Sequence, residues 1–185
     1  MSIDRNKKTL TFFTAFYGDV LGHGNDYQKN LEESLNYVIE NLNNKYNIII
    51  KTHPNEELSY WKNVFKFKNI TLIKNINNFD LMLISDIMIS SNSYASVEAT
   101  LLGVTTINFV PGANIISKEF CNLFNQFVSV VEYSKESLLK RLNNYLSVDI
   151  SYKNDTIIAQ NNILGLNSDK KNYLVEEIMD IKLNK

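Results

Sequence analysis

Short runs that are apolar almost from end to end, spaced by amphipathic stretches, constrain this chain more than any other feature. Asn47-Ile48-Ile49-Ile50-Lys51-Thr52, Ile70-Thr71-Leu72-Ile73, Ile87-Met88-Ile89-Ser90 and Thr105-Thr106-Ile107-Asn108-Phe109-Val110 show little alternation of apolar and polar residues. A strand with one wet face alternates with period two, whereas a strand covered on both faces does not. Two more runs, Thr9 to Ala15 and Phe127 to Val131, have the β-branched and aromatic content of strands.

Helical spacing fills the gaps. Tyr27, Leu31, Leu35, Val38 and Leu42 recur at steps of three and four, one face of an amphipathic helix. Further helices are expected at Glu57–Lys66, Asn78–Ser85 and Ser93–Leu102, the last stopped by Gly103. A weaker one falls near Ile115–Phe124, and another at Lys135–Leu146 turns Leu138, Leu139, Leu142 and Leu146 inward. Alternating strands and helices with right-handed crossovers predict an α/β fold: a doubly wound, Rossmann-like parallel sheet of about six strands with helices on both faces. The domain spans residues 1–147. A polar, Asn-rich connection follows at 148–167, then a C-terminal helix at 168–185 that packs on the domain or on a partner domain.

Bulk properties narrow the function classes. The 185 residues suit one domain with a full core. Net charge is -1 and the lysines are scattered, so nucleic acid is not an expected partner. The only cysteine, Cys121, offers neither an internal disulfide nor a metal cluster. The N-terminus has no apolar segment of a targeting signal, and the apolar runs are strand-sized. A cytoplasmic protein is expected, peripheral at the inner face of the membrane only through a partner. The abundance of Asn, Lys and Ile reads as the codon bias of an AT-rich, bacterial genome.

On such a sheet, ligands bind beyond the carboxyl ends of the strands. Four polar or Gly-rich loops lie at that edge: Tyr17–Asn25, His53–Glu56, Lys74–Asn77 and Ser91–Tyr94. The segment Ser90-Ser91-Asn92-Ser93-Tyr94-Ala95-Ser96-Val97-Glu98-Ala99 admits two readings. In one, small residues let a phosphate reach the first-turn N–H groups and Glu98 accepts from the hydroxyls of a ribose. In the other, Ser93 is an ordinary N-cap and Glu98 is solvated. His53 either donates to a phosphate or acts as acid or base near neutral pH, or is simply held in a Pro turn. Gly22-His23-Gly24-Asn25 lacks the spacing of a dinucleotide fingerprint or P-loop. It reads as a surface turn, with His23 a minor candidate for the acceptor side.

Asn69 to Ile76, Phe79 to Ser90, Ser93 and Glu98-Ala99-Thr100-Leu101-Leu102-Gly103-Val104 together resemble the C-terminal, nucleotide-sugar-binding domain of GT-B glycosyltransferases. The pattern is similar to capsule and surface-polysaccharide glycosyltransferases, CDP-glycerol glycerophosphotransferases and UDP-GlcNAc 2-epimerases, most clearly over Ile48–Phe109. The resemblance implies that Glu98 holds the ribose and that Ser91, Asn92, Ser93 and Tyr94 hold the diphosphate. It implies that Lys74, Asn75 and Ile76 meet the base. His53 and Asn55, in the His-Pro loop, would lie near the diphosphate or sugar, with His53 the one catalytic candidate.

Two departures matter. The epimerase pattern has an Asp before the Ser and two consecutive acidic residues in the helix, where this chain has Ser91 and Val97-Glu98. A transferase is therefore expected over an epimerase-like fragment, with a non-catalytic nucleotide-binding or interaction module as the other alternative. The donor would be UDP- or CMP/CDP-linked, with no other cofactor and no metal. A GT-B site lies between two Rossmann-like domains, so the expected partner is an N-terminal Rossmann-like domain or a separate, membrane-associated subunit. Self-association is a further option.

Overall fold

The computed structural model describes residues 3–15, 24–42, 44–65, 69–112, 124–147 and 151–164. Its six strands are β1 (Thr9–Phe13), β2 (Asn47–Lys51), β3 (Ile70–Ile73), β4 (Ile87–Ser90), β5 (Thr105–Phe109) and β6 (Val130–Glu132). They form one sheet in the order β3-β2-β1-β4-β5-β6, with each neighbouring pair parallel. The helices are α1 (Gly24–Asn41), α2 (Leu58–Val64), α3 (Asn78–Leu83), α4 (Tyr94–Leu101), α5 (Lys135–Ser147) and α6 (Ser151–Ile163). This is the doubly wound arrangement expected from the apolar runs, and its strand order reverses direction between β1 and β4.

Alternation along each strand sends residues to opposite faces, and the two faces differ. Leu10, Phe12, Ile48, Ile50, Ile87, Ile89, Ile107 and Phe109 meet Tyr27, Leu31, Leu35 and Val38 of α1, Trp61 of α2, and Leu138 and Leu142 of α5. Phe13, Ile49 and Met88 point the other way, to Leu81 and Met82 of α3 and Ala95 and Ala99 of α4. Each fully buried large side chain contributes roughly 1.5–3 kcal/mol, so the first face holds most of the stability. The thinner second face carries buried hydroxyls instead. Thr11 Oγ1 bonds Ser85 Oγ at 2.6 Å, and Thr100 Oγ1 bonds Thr106 Oγ1 at 2.6 Å.

Several expectations need correcting. Residues 148–167, read as a polar connection, carry α6. Its anchors are polar: Thr156 Oγ1 bonds Ser129 Oγ at 2.9 Å, and Gln160 Nε2 donates to the Thr100 carbonyl at 2.9 Å. Such docking leaves no apolar stripe, and Ile157 and Ile158 face solvent. The last strand starts at Val130 rather than Phe127, because a 3₁₀ turn at Asn125–Phe127 precedes it. Leu146 is exposed, and Tyr145 takes the inward position with its ring buried. The first strand stops at Phe13, and beyond it Thr14 N still donates to the Lys51 carbonyl at 3.0 Å while the Thr14 hydroxyl meets the Glu56 carboxylate. The helices expected near Ile115–Phe124 and at 168–185 lie outside the described residues, apart from Phe124. Among the described residues no helix is long and apolar enough to cross a membrane.

Candidate functional site

The last rung of the sheet is where the apolar strands turn polar. Parallel register aligns Ile73, Lys51, Phe13, Ser90 and Asn108 across β3, β2, β1, β4 and β5. Beyond this rung, at the point where strand order reverses, lies an open cleft of about 670 Å³. Its walls come from the β1 end (Phe13, Thr14), the β2 end (Lys51, His53, Pro54), the loop after β3 (Lys74 to Asn78) and the start of α4 (Ser93, Tyr94, Ala95, Glu98). Another hollow, of about 310 Å³, sits at the opposite, amino edge between Lys8, Leu83, Asp86 and Leu102–Thr105. No loop singled out from the sequence reaches it.

The α4 start is built for its position. Ser93 is the N-cap in extended conformation, and its hydroxyl accepts from Ala95 N at 3.2 Å. Before it, Asn92 adopts φ 44°, a left-handed geometry that Asn tolerates better than most residues. Fully buried Asn108 holds that turn from β5. Its Oδ1 accepts from Asn92 N at 2.8 Å, and its Nδ2 donates to Asn92 Oδ1 at 2.9 Å and to Asn125 Oδ1 at 3.1 Å. Glu98 stands one turn into α4, exposed on the cleft side.

The His-Pro turn is fixed by a buried carboxylate. Glu56 Oε2 accepts from His53 N at 2.9 Å and from the Thr14 hydroxyl. His53 N also reaches Thr14 Oγ1 at 2.9 Å. The ring's Nδ1 accepts from Asn55 N at 3.2 Å, so a neutral His53 carries its proton on Nε2. Beside this turn, Lys51 is 6% exposed, and its Nζ donates to the Thr52 carbonyl at 3.3 Å. Burial pushes the Lys51 pKa down, and the charge of Glu56 opposes this in part.

The structure therefore brings His53, Lys74, Asn75, Ile76, Ser93, Tyr94 and Glu98 to one cleft. It does not bring Ser91, whose buried hydroxyl bonds Tyr27 OH at 2.6 Å on the α1 side. Asn92 is engaged with Asn108, and Asn55 is exposed, holding the His53 ring through its backbone. His23 lies outside the described residues. Sequence reasoning passed over Lys51, Thr14, Glu56 and Asn108. The available signal was one polar residue near the end of each of two apolar strands, Lys51 last on β2 and Asn108 next to last on β5.

The wall teichoic acid polymerase TagF superposes with a TM-score of 0.60 at 16% identity, over 98% of this chain and 45% of its own. UDP-GlcNAc 2-epimerase from Neisseria meningitidis, solved with UDP-GlcNAc bound, gives 0.58 at 15% identity, over 99% and 46%. A UDP-N-acetylglucosamine 2-epimerase from Listeria monocytogenes gives 0.55 at 13% identity, over 83% and 39%. The fold is thus that of one half of the GT-B architecture, and the chain spans less than half the length of these structures. The chain belongs to the family described as "Protein of unknown function (DUF354)", whose model matches residues 24–162. No curated protein sequence matches it.

Proposed function

We propose that the carboxyl-edge cleft binds a nucleotide-linked donor, UDP- or CMP/CDP-linked, and that the chain is the donor-binding half of a GT-B-type glycosyltransferase of bacterial surface-polysaccharide synthesis. The observation that carries this reading is convergence. A capped helix start, a carboxylate one turn later, a His-Pro turn and the Lys74–Ile76 loop meet in one cleft at the strand-order reversal.

Each part has a fitting task. The first turn of α4 faces an anion with N–H groups and the positive end of its dipole. Glu98 accepts two hydrogen bonds from vicinal ribose hydroxyls. The backbone of Lys74, Asn75 and Ile76 meets the base, and Lys74 adds positive charge. His53 donates from Nε2 to a phosphate oxygen or to the leaving group. These groups stabilise a departing diphosphate without a metal ion. The base that activates the acceptor hydroxyl comes from a second Rossmann-like domain, in the same polypeptide or in a partner subunit. A single carboxylate at Val97-Glu98 favours transfer over epimerisation.

Titration calorimetry with UDP, UDP-GlcNAc, CMP and CDP-glycerol tests this. One nucleotide series binds, and Glu98→Ala weakens it about ten- to a hundredfold, the worth of a charge-assisted hydrogen-bond pair. Absence of binding by all four sinks the donor reading and leaves a non-catalytic interaction module. The indicated donor binding equally well to Glu98→Ala removes Glu98 from the ribose.

A further inference from the structure

Lys51 is the residue of the cleft that the fold itself does not account for. It closes the run Ile48-Ile49-Ile50 on the second strand from one edge of the sheet and is 6% exposed. An ammonium has three donors and a strong demand for water or an anion. Here one donor meets the Thr52 carbonyl at 3.3 Å, and the Phe13 ring centroid lies 5.7 Å from Nζ. Among the described residues no ion pair involves Lys51. Glu56 is near enough to act through its charge, but its Oε2 is taken by His53 N and the Thr14 hydroxyl. Were Lys51 a structural counter-ion, it would pair with that carboxylate. Were it a surface lysine, its head would reach solvent. It does neither, and it lines the cleft together with Phe13 and Lys74.

We propose that Lys51 is an anion-binding residue, its ammonium held at the inner end of the cleft for the phosphate groups of the substrate. This rests on the donor reading above and deepens it: the charged part of the donor lies against the β1 and β2 ends, not only at the α4 start. The free protein bears the cost of the unpaired charge. The folded-state pKa of Lys51 lies below its ordinary 10.5, so the folded state holds fewer protons there than the unfolded chain. Stability therefore rises with pH through that window up to about 10.5. The titratable groups lining or flanking the cleft around it are Glu56, His53, Lys74 and Glu98.

The test compares wild type, Lys51→Met and Lys51→Gln, using inorganic pyrophosphate, uridine, cytidine, UDP and CDP in calorimetry and thermal denaturation. Methionine keeps the stem and removes the charge, so Lys51→Met melts at the wild-type temperature or above it at neutral pH. Glutamine serves as the second variant should methionine disturb the fold. Pyrophosphate and the nucleoside diphosphate that wild type prefers bind either variant about ten- to a hundredfold more weakly, while the matching nucleoside binds unchanged. Wild-type affinity of folded variants for both anions overturns the assignment and leaves the donor reading standing if nucleotides still bind. Lys51-dependent pyrophosphate binding without any nucleoside or nucleotide binding upholds the assignment and sinks the donor reading. No binding of any of the five probes to wild type overturns both.

Discussion

Replacing Asn108 by leucine lowers the unfolding free energy by about 3 kcal/mol, the cost of stranding buried hydrogen-bonding groups. Leucine keeps the heavy-atom count and branching of asparagine but is bulkier, so lost polarity is compounded by some overpacking. Asn108 is fully buried in β5 and makes three side-chain hydrogen bonds, two to Asn92 and one to Asn125. Leucine leaves the Asn92 N–H without its acceptor and the Asn92 and Asn125 side-chain oxygens without their donor. Asn92 has little slack to absorb this, because its φ is 44° and its Nδ2 already lies buried without a partner. Urea denaturation reads the loss directly. The α4 start is what Asn108 holds in place, so the proposed nucleotide binding weakens along with stability. A change under about 1 kcal/mol, the worth of one ordinary hydrogen bond, would show that the turn stands without Asn108.

Removing the buried carboxylate is the second large effect. Glu56→Ala costs about 3 kcal/mol, within the range for breaking a buried charged network. Two hydrogen bonds disappear, from His53 N and the Thr14 hydroxyl, and the direct bond from His53 N to Thr14 Oγ1 is left to tie the His-Pro turn to the end of β1. Lys51 is affected at the same time. Glu56 is the influence that raises its pKa against burial, so without it the pKa of Lys51 falls further. Glu56→Gln keeps an acceptor but no charge, and costs about half as much. Denaturation of both variants at neutral pH checks the order. Equal stability of Glu56→Ala and wild type would mean that Thr14 alone holds the His53 backbone.

The elements that periodicity could see are those that bury apolar side chains. Tyr27, Leu31, Leu35 and Val38 form the inner face of α1, and Ile48 to Ile50 fill both faces of the sheet. Helix α6 escaped because Thr156, Gln160 and Asn162 attach it through hydrogen bonds while Ile157 and Ile158 point outward. Its apolar residues pointed the wrong way. The site divides in the same manner. Helix capping made Ser93 legible because it follows a local rule, whereas for Glu98 spacing left two readings open and the family resemblance chose between them. Ser91 was misleading. A residue just past a strand end can turn to either face, and only the packed structure shows its hydroxyl against Tyr27. Lys51 and Asn108 lie inside runs that are otherwise nearly all apolar. Parallel register puts both on one rung at the cleft, a relation between distant segments that no local pattern encodes.

On the proposed function, the carboxyl edge of the sheet, not the amino edge, receives a nucleotide. Backbone amide spectra of the isotope-labelled chain, recorded during titration with UDP and with CDP, test it most directly. Shifts are expected at Thr52–Glu56, Lys74–Asn77 and Asn92–Glu98 for one of the two nucleotides, the segments around the cleft beyond β1 and β4. Shifts gathered instead at Leu83–Asp86 and Leu102–Thr105, around the hollow at the opposite edge, would contradict it.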